Sequence, residues 1–220
     1  RTVLALQARL GEILLAPSRD DERMDLELEL LWLTDEIRRD RPTVLDEVGN
    51  VIWYLEDRLL DAAPSVARGL ATAFDAVFGE PLDVPLQLDV GSWVAGDRDG
   101  NPFVTPEITL SAARRAAHAT LGRYAAEVRA LVEKLSVSDA IRPPPPELAA
   151  SIAEDAQRLP EIWEKNKRRD VGEPVRLKLS FIAARIEALR DVLARRDAGL
   201  LAPLGAAYGR PEELLGDLAL

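Results

Sequence analysis

The residues of this chain best equipped for chemistry lie together in Gly91-Ser92-Trp93-Val94-Ala95-Gly96-Asp97-Arg98-Asp99-Gly100-Asn101-Pro102. Its glycines permit positive φ or close approach of a ligand to the backbone. Arg98 offers a planar five-donor fork to a carboxylate or phosphate. Asp97 and Asp99 would either orient that arginine or prevent its use. The same residue types also build an ordinary polar turn with Arg98 internally paired. A calcium loop fails on register. Asp97, Asp99 and Asn101 fit its first, third and fifth positions, but Pro102 and Ile108 stand where the sixth-position glycine and twelfth-position glutamate belong.

Two further clusters carry positive charge. Thr34-Asp35-Glu36-Ile37-Arg38-Arg39-Asp40-Arg41-Pro42 places three arginines at the expected end of a helix. There they complement the dipole or line an anion pocket. Lys165-Asn166-Lys167-Arg168-Arg169 reads as an exposed loop, since it lacks the interleaved aromatics of a nucleic-acid groove. His118 is the one histidine and has no serine motif beside it, so it reads as structural. Trp32, Trp53, Tyr54 and Trp163 fall on predicted helices and read as packing residues, whereas Trp93 belongs to the glycine-rich loop.

Composition narrows the field. The chain has 220 residues with 38 acidic against 28 basic, a net charge of −10 that repels polyanions and argues against binding nucleic acid or an anionic membrane. The absence of cysteine excludes a disulfide scaffold, a thiol nucleophile and a cysteine-ligated metal. It fits a reducing cytoplasm. No apolar run approaches the roughly 18 residues of a membrane span, and no signal peptide is read at the start.

The elements that must position these residues are mostly helical. Helices are predicted over 3 to 15, 21 to 39 and 44 to 60. The last is capped by Thr43 and striped by Val44, Val48, Val51, Ile52, Leu55 and Leu59. A fourth is expected from about Pro64 to Phe78, stopped by Gly79. The period then changes, because Val84, Leu86, Leu88 and Val90 alternate with polar or small residues, which predicts a strand from Val84 to about Val94. One strand cannot satisfy its own backbone, so its partners are expected from other sequence or a second copy. Thr105-Pro106-Glu107 starts a helix reaching about Leu135, and Pro143 to Pro146 is a stiff break. A helix within 147 to 165 follows, then a charged loop over Lys165 to Pro174. Another helix begins at Val175 and carries Leu179, Ile182, Ile186, Leu189 and Leu193, and a short one starts at Pro211.

The segment Gly91-Ser92-Trp93 with Gly96-Asp97-Arg98-Asp99-Gly100-Asn101-Pro102 and Val104-Thr105 closely resembles the signature loop of the phosphoenolpyruvate carboxylase family. Thr34-Asp35-Glu36-Ile37-Arg38-Arg39, Arg41-Pro42 and Glu173-Pro174-Val175-Arg176 agree with the family in the same order. Arg1-Thr2 resembles the tail of the family's Thr-Ala-His-Pro-Thr segment, whose histidine is catalytic. The expectation is therefore a piece of a larger enzyme that begins just after that histidine.

The resemblance implies a large, mainly helical enzyme around a parallel β-barrel, with residues 1–220 a single mainly α-helical fragment. Within it, 84–102 would be one isolated barrel strand and its ligand loop. It implies addition of bicarbonate to phosphoenolpyruvate with magnesium or manganese, whose ligands would lie beyond Leu220, so the isolated chain is expected to be inactive. Trp93 and Arg98 would contact substrate, supported by Gly96, Asp97, Asp99, Gly100 and Asn101. Arg1 and Arg38 would match a sugar-phosphate activator site of plant relatives. A cytoplasmic homo-oligomer is expected. The competing reading is a non-catalytic helical scaffold or regulatory module.

Overall fold

The computed structural model describes residues 2–18, 20–34, 41–82 and 90–220. Among them the secondary structure is helical: α1 (Thr2–Leu15), α2 (Asp21–Leu33), α3 (Val44–Tyr54), α4 (Leu60–Phe78), α5 (Pro106–Lys134), α6 (Pro146–Arg158), α7 (Pro160–Asn166), α8 (Pro174–Asp197) and α9 (Pro211–Leu218). The mainly α reading therefore holds.

The centre is the pairing of α5 with α8. Leu121, Ala125, Val128, Val132 and Leu135 recur at helical spacing on α5, and Val175, Leu179, Ile182, Ile186 and Leu189 do so on α8. Ala125 and Ile186 are wholly inaccessible and Phe181 is equally sealed. Ala125 and Ala183 are small enough to let the two backbones approach. Each large side chain buried here contributes roughly 1.5–3 kcal/mol. The shorter α6 and α7 pack beside α8, and α3 crosses α5. Leu10 and Ile13 of α1 meet Met24 of α2 in a separate small cluster, with Leu31 beside it.

Local signals set several boundaries as expected. The Thr43 hydroxyl accepts the Asp46 N–H at 3.2 Å while the Asp46 carboxylate accepts the Thr43 N–H at 2.8 Å, a reciprocal cap on α3. Gly79 ends α4 with φ of 72°, a conformation that favours glycine.

Other expectations change. The predicted third and fourth helices are one continuous rod, because a π-helical turn, Leu55–Leu59, joins α3 to α4. In it the Leu60 N–H reaches back to the Leu55 carbonyl. Pro64, read as a helix start, stands inside α4 and has no N–H to offer Leu60. Both features are recognised causes of departure from straight helix geometry. The expected helix within 147 to 165 is two helices, divided where Leu159 takes φ −130° and ψ 63° ahead of Pro160. Trp32, expected to pack, is 86% exposed.

The strand expected over 84–94 is not seen where it can be judged. Residues 90–93 are irregular and 94–96 turn, while 84–89 lie outside the described residues. No strand occurs among the described residues to pair with it. A period-2 pattern becomes a strand only where a ladder partner takes up its N–H and C=O groups.

Candidate functional site

The glycine-rich loop is anchored from below and open above. Ala95 and Val104 pack with Val44 and Val48 of α3, and Val94, Ile52, Ile108 and Ala112 surround them. This apolar seat ties the loop to both α3 and α5. Ala95 has φ of 61° although it is not glycine, a conformation that costs such a residue roughly 1–2 kcal/mol. Its carbonyl accepts the Thr109 hydroxyl of α5 at 2.7 Å, and the Gly96 N–H closes a turn onto the Trp93 carbonyl at 3.1 Å.

Above that seat the polar residues organise one another. The Trp93 indole N–H donates to Asp97 Oδ2 at 3.1 Å, and the Gly100 N–H donates to Asp97 Oδ1 at 3.3 Å. Hydrogen bonding to Asp99, to Trp93 and to the Gly100 N–H holds the Asp97 carboxyl below the usual range. A Cβ added to Gly100 would lie 2.6 Å from Asp97 Oδ2, so glycine is what allows Asp97 to reach Trp93. The Asn101 side-chain oxygen accepts the Phe103 N–H at 3.0 Å, turning the chain toward α5. The Thr105 hydroxyl then caps that helix by accepting the Ile108 N–H.

These distances bear on the choice left open by residue types. Asp97 is engaged by Trp93 and Gly100, and among the described residues no carboxylate forms an ion pair with Arg98. The arginine is exposed, and so is Trp93, at 78%. Bonds from the Glu107 backbone N–H and from Thr105, with a smaller contribution from the charge of Arg98, hold Glu107 below the ordinary carboxylate range. The same loop thus carries an exposed guanidinium with no carboxylate ion pair among the described residues and an exposed indole, groups suited to an anion and to a flat apolar face. Trp93, Gly96, Asp97, Arg98, Asp99, Gly100 and Asn101, the residues singled out from the sequence, all fall in this one loop. Arg1 and Arg38, the implied activator residues, lie outside the described residues, as do 35–40 generally.

His118 lines a cleft of about 300 Å³ between α3, α5 and α8, with Arg114, Arg115, Glu56 and Asp197. Arg115 and Ser111 both donate to Asp197, at 2.9 and 2.5 Å. Burial pushes Asp197 up, but these bonds outweigh it and the net direction is down. In the Lys165–Arg169 run, Arg169 forks onto the buried Asp170 at 2.8 and 3.1 Å, and Lys167 pairs with Glu164.

A buried polar network escaped sequence reasoning. Lys178 donates to Ser151 at 2.6 Å, Asp155 at 2.7 Å and Asp217 at 2.6 Å. Arg185 donates to Asp217 at 2.8 Å and Glu213 at 3.0 Å while lying 3.8 Å over the Tyr208 ring. The Tyr208 hydroxyl donates to Asp217 at 2.7 Å. Lys178 and Arg185 are seven apart and share one side of α8, the one sequence signal that could have pointed here.

Among the described residues no group of three or more Asp, Glu or His is disposed to hold a metal ion. The described residues therefore do not offer the donor set of a divalent cation. No helix among them is long and apolar enough to cross a membrane.

Fold and loop together define a mainly helical protein that presents an apolar-seated, glycine-rich loop carrying Trp93 and Arg98 ahead of a long helix. Comparison with known proteins narrows that class. The family model of phosphoenolpyruvate carboxylase matches residues 12–220. The phosphoenolpyruvate carboxylase of Prochlorococcus marinus is 38% identical over 188 residues, covering 84% of this chain and 19% of that protein. That of Thermus sp. is 36% identical over 205 residues, covering 88% and 22%, and that of Roseiflexus castenholzii is 36% identical over 209, covering 91% and 22%. This chain belongs to the phosphoenolpyruvate carboxylase family. It spans about a fifth of the length of the curated relatives it matches.

Proposed function

We propose that the chain is a segment of an enzyme that adds bicarbonate to phosphoenolpyruvate, and that its Trp93–Arg98 loop contributes to binding the substrate. The observation that carries the reading is Arg98, exposed and without a carboxylate partner among the described residues, in the same loop as an indole that donates to Asp97.

In this reading a bicarbonate oxygen attacks the substrate phosphorus and the phosphorus–enol oxygen bond breaks, giving carboxyphosphate and an enolate. Carboxyphosphate then separates into carbon dioxide and phosphate, which keeps the bicarbonate proton, and the enolate carbon attacks carbon dioxide to form oxaloacetate. Apart from carbon dioxide every species on that path is an anion, so a guanidinium brought against the developing charge lowers the barrier. Magnesium or manganese is held by other parts of the polypeptide, and the working enzyme is a homo-oligomer.

In the full-length carboxylase carrying this chain, Arg98→Ala is expected to raise the KM for phosphoenolpyruvate or reduce turnover while leaving the melting temperature unchanged. Retention of full kinetics would favour the non-catalytic scaffold instead. The 220-residue chain alone is expected to form no oxaloacetate above background with added magnesium.

A further inference from the structure

We infer that Thr109 is a positioning residue for the substrate loop, acting through the backbone of Ala95. This rests on the reading of the Trp93–Arg98 loop as a substrate-binding element.

Ala95 is the described non-glycine residue with a left-handed backbone, and it is 4% exposed. It lies between Trp93, whose carbonyl it helps turn onto the Gly96 N–H, and Asp97, which holds the indole. The direction in which Trp93 and Arg98 leave the apolar seat is therefore set by one strained residue. Strain of this kind persists only where the surroundings over-determine it. Two restraints are present: the methyl group packs with Val44, Val48 and Val104, and the carbonyl accepts the Thr109 hydroxyl.

The second restraint is specific. Thr109 has a local alternative, since the Thr105 carbonyl one turn earlier lies 3.2 Å from the same hydroxyl. That contact is where a helical threonine ordinarily bonds. Thr109 instead makes its shorter contact, 2.7 Å, to Ala95, fourteen residues away. The helix does not need this bond, but the loop does, because without it a part-buried carbonyl loses its partner and Ala95 can relax toward negative φ. Such relaxation would swing Asp97 and the indole, and with them Arg98.

The test uses the full-length carboxylase. Thr109→Val keeps the shape of the side chain and removes the hydroxyl. The KM for phosphoenolpyruvate is expected to rise about tenfold, the most that one net hydrogen bond supplies, with the melting temperature little changed. Thr109→Ser should restore the wild-type value. Ala95→Gly in the Thr109→Val background should restore much of it, because glycine holds positive φ without a restraint; a packing role for Thr109 would show no such rescue. If the valine variant does not fold, Thr109→Ala takes its place in the same series. A wild-type KM in the hydroxyl-free variant, or failure of both serine and glycine to rescue, would overturn the inference. These results are separable from failure of the underlying reading, which would appear as wild-type kinetics in Arg98→Ala.

Discussion

Lys178 and Asp155 meet at 2.7 Å with 4% and 2% of their side chains exposed, so α8 and α6 are joined by an ion pair sealed from water. Removing one member of such a pair strands the other in a low-dielectric interior. Lys178→Met is therefore expected to destabilise the chain by about 3–5 kcal/mol, read from the urea midpoint. Asp191→Ala, which breaks the exposed Arg195–Asp191 pair on the same helix, should cost under about 1 kcal/mol. Equal losses for the two would contradict a sealed pair.

The docking of α9 should depend on pH at both ends of the range. Burial pushes Asp217 up, but bonds from Lys178 and Tyr208 and the charges of Lys178 and Arg185 outweigh it, so its folded pKa is lowered. The stability it contributes is present above the unfolded carboxylate value, about 3.9, and is lost as pH falls through the folded value. Burial and the Asp217 bond push Tyr208 far up. Its contribution is present below the unfolded phenol value, about 10, and is lost as pH rises above it. Circular dichroism against pH should show both limbs. Tyr208→Phe should remove the alkaline limb and, by taking one donor from Asp217, also weaken the acid one.

Gly100→Ala should loosen the loop without unfolding the chain. The new Cβ would meet Asp97 Oδ2 at 2.6 Å and displace the carboxylate from the indole. In a version with Trp32, Trp53 and Trp163 changed to phenylalanine, the remaining Trp93 should change its emission on this substitution. Unaltered emission would show that Asp97 does not hold the indole in solution.

Pro64→Ala should stabilise the rod formed by α3 and α4. Alanine supplies the N–H that proline withholds from the Leu60 carbonyl and removes the ring from a helix interior, a change worth up to about 3 kcal/mol. A higher melting temperature is the expected reading; a lower one would mean that the proline's local geometry is needed for packing.

What the sequence by itself determined was local. The Thr43 and Thr105 caps, the Gly79 stop and the apolar spacing of α8 were legible because each is written within a few residues of where it acts. The loop over 91–102 was equally legible as a ligand candidate from its glycines and Arg98. Tertiary structure alone decided the rest. Residue types left open whether Asp97 orients Arg98 or prevents its use; the structure instead turns its carboxylate to the Trp93 indole at 3.1 Å, a contact that residue types alone do not announce. Continuity of the rod through Leu55–Leu59 could not be read from a proline that starts helices as readily as it bends them. Likewise, nothing local connects Lys178 to Asp155 and Asp217, at 23 and 39 residues' separation. Long-range partners are selected by which faces the packed helices bring together, and a buried charge is tolerated only where that packing supplies its counter-charge.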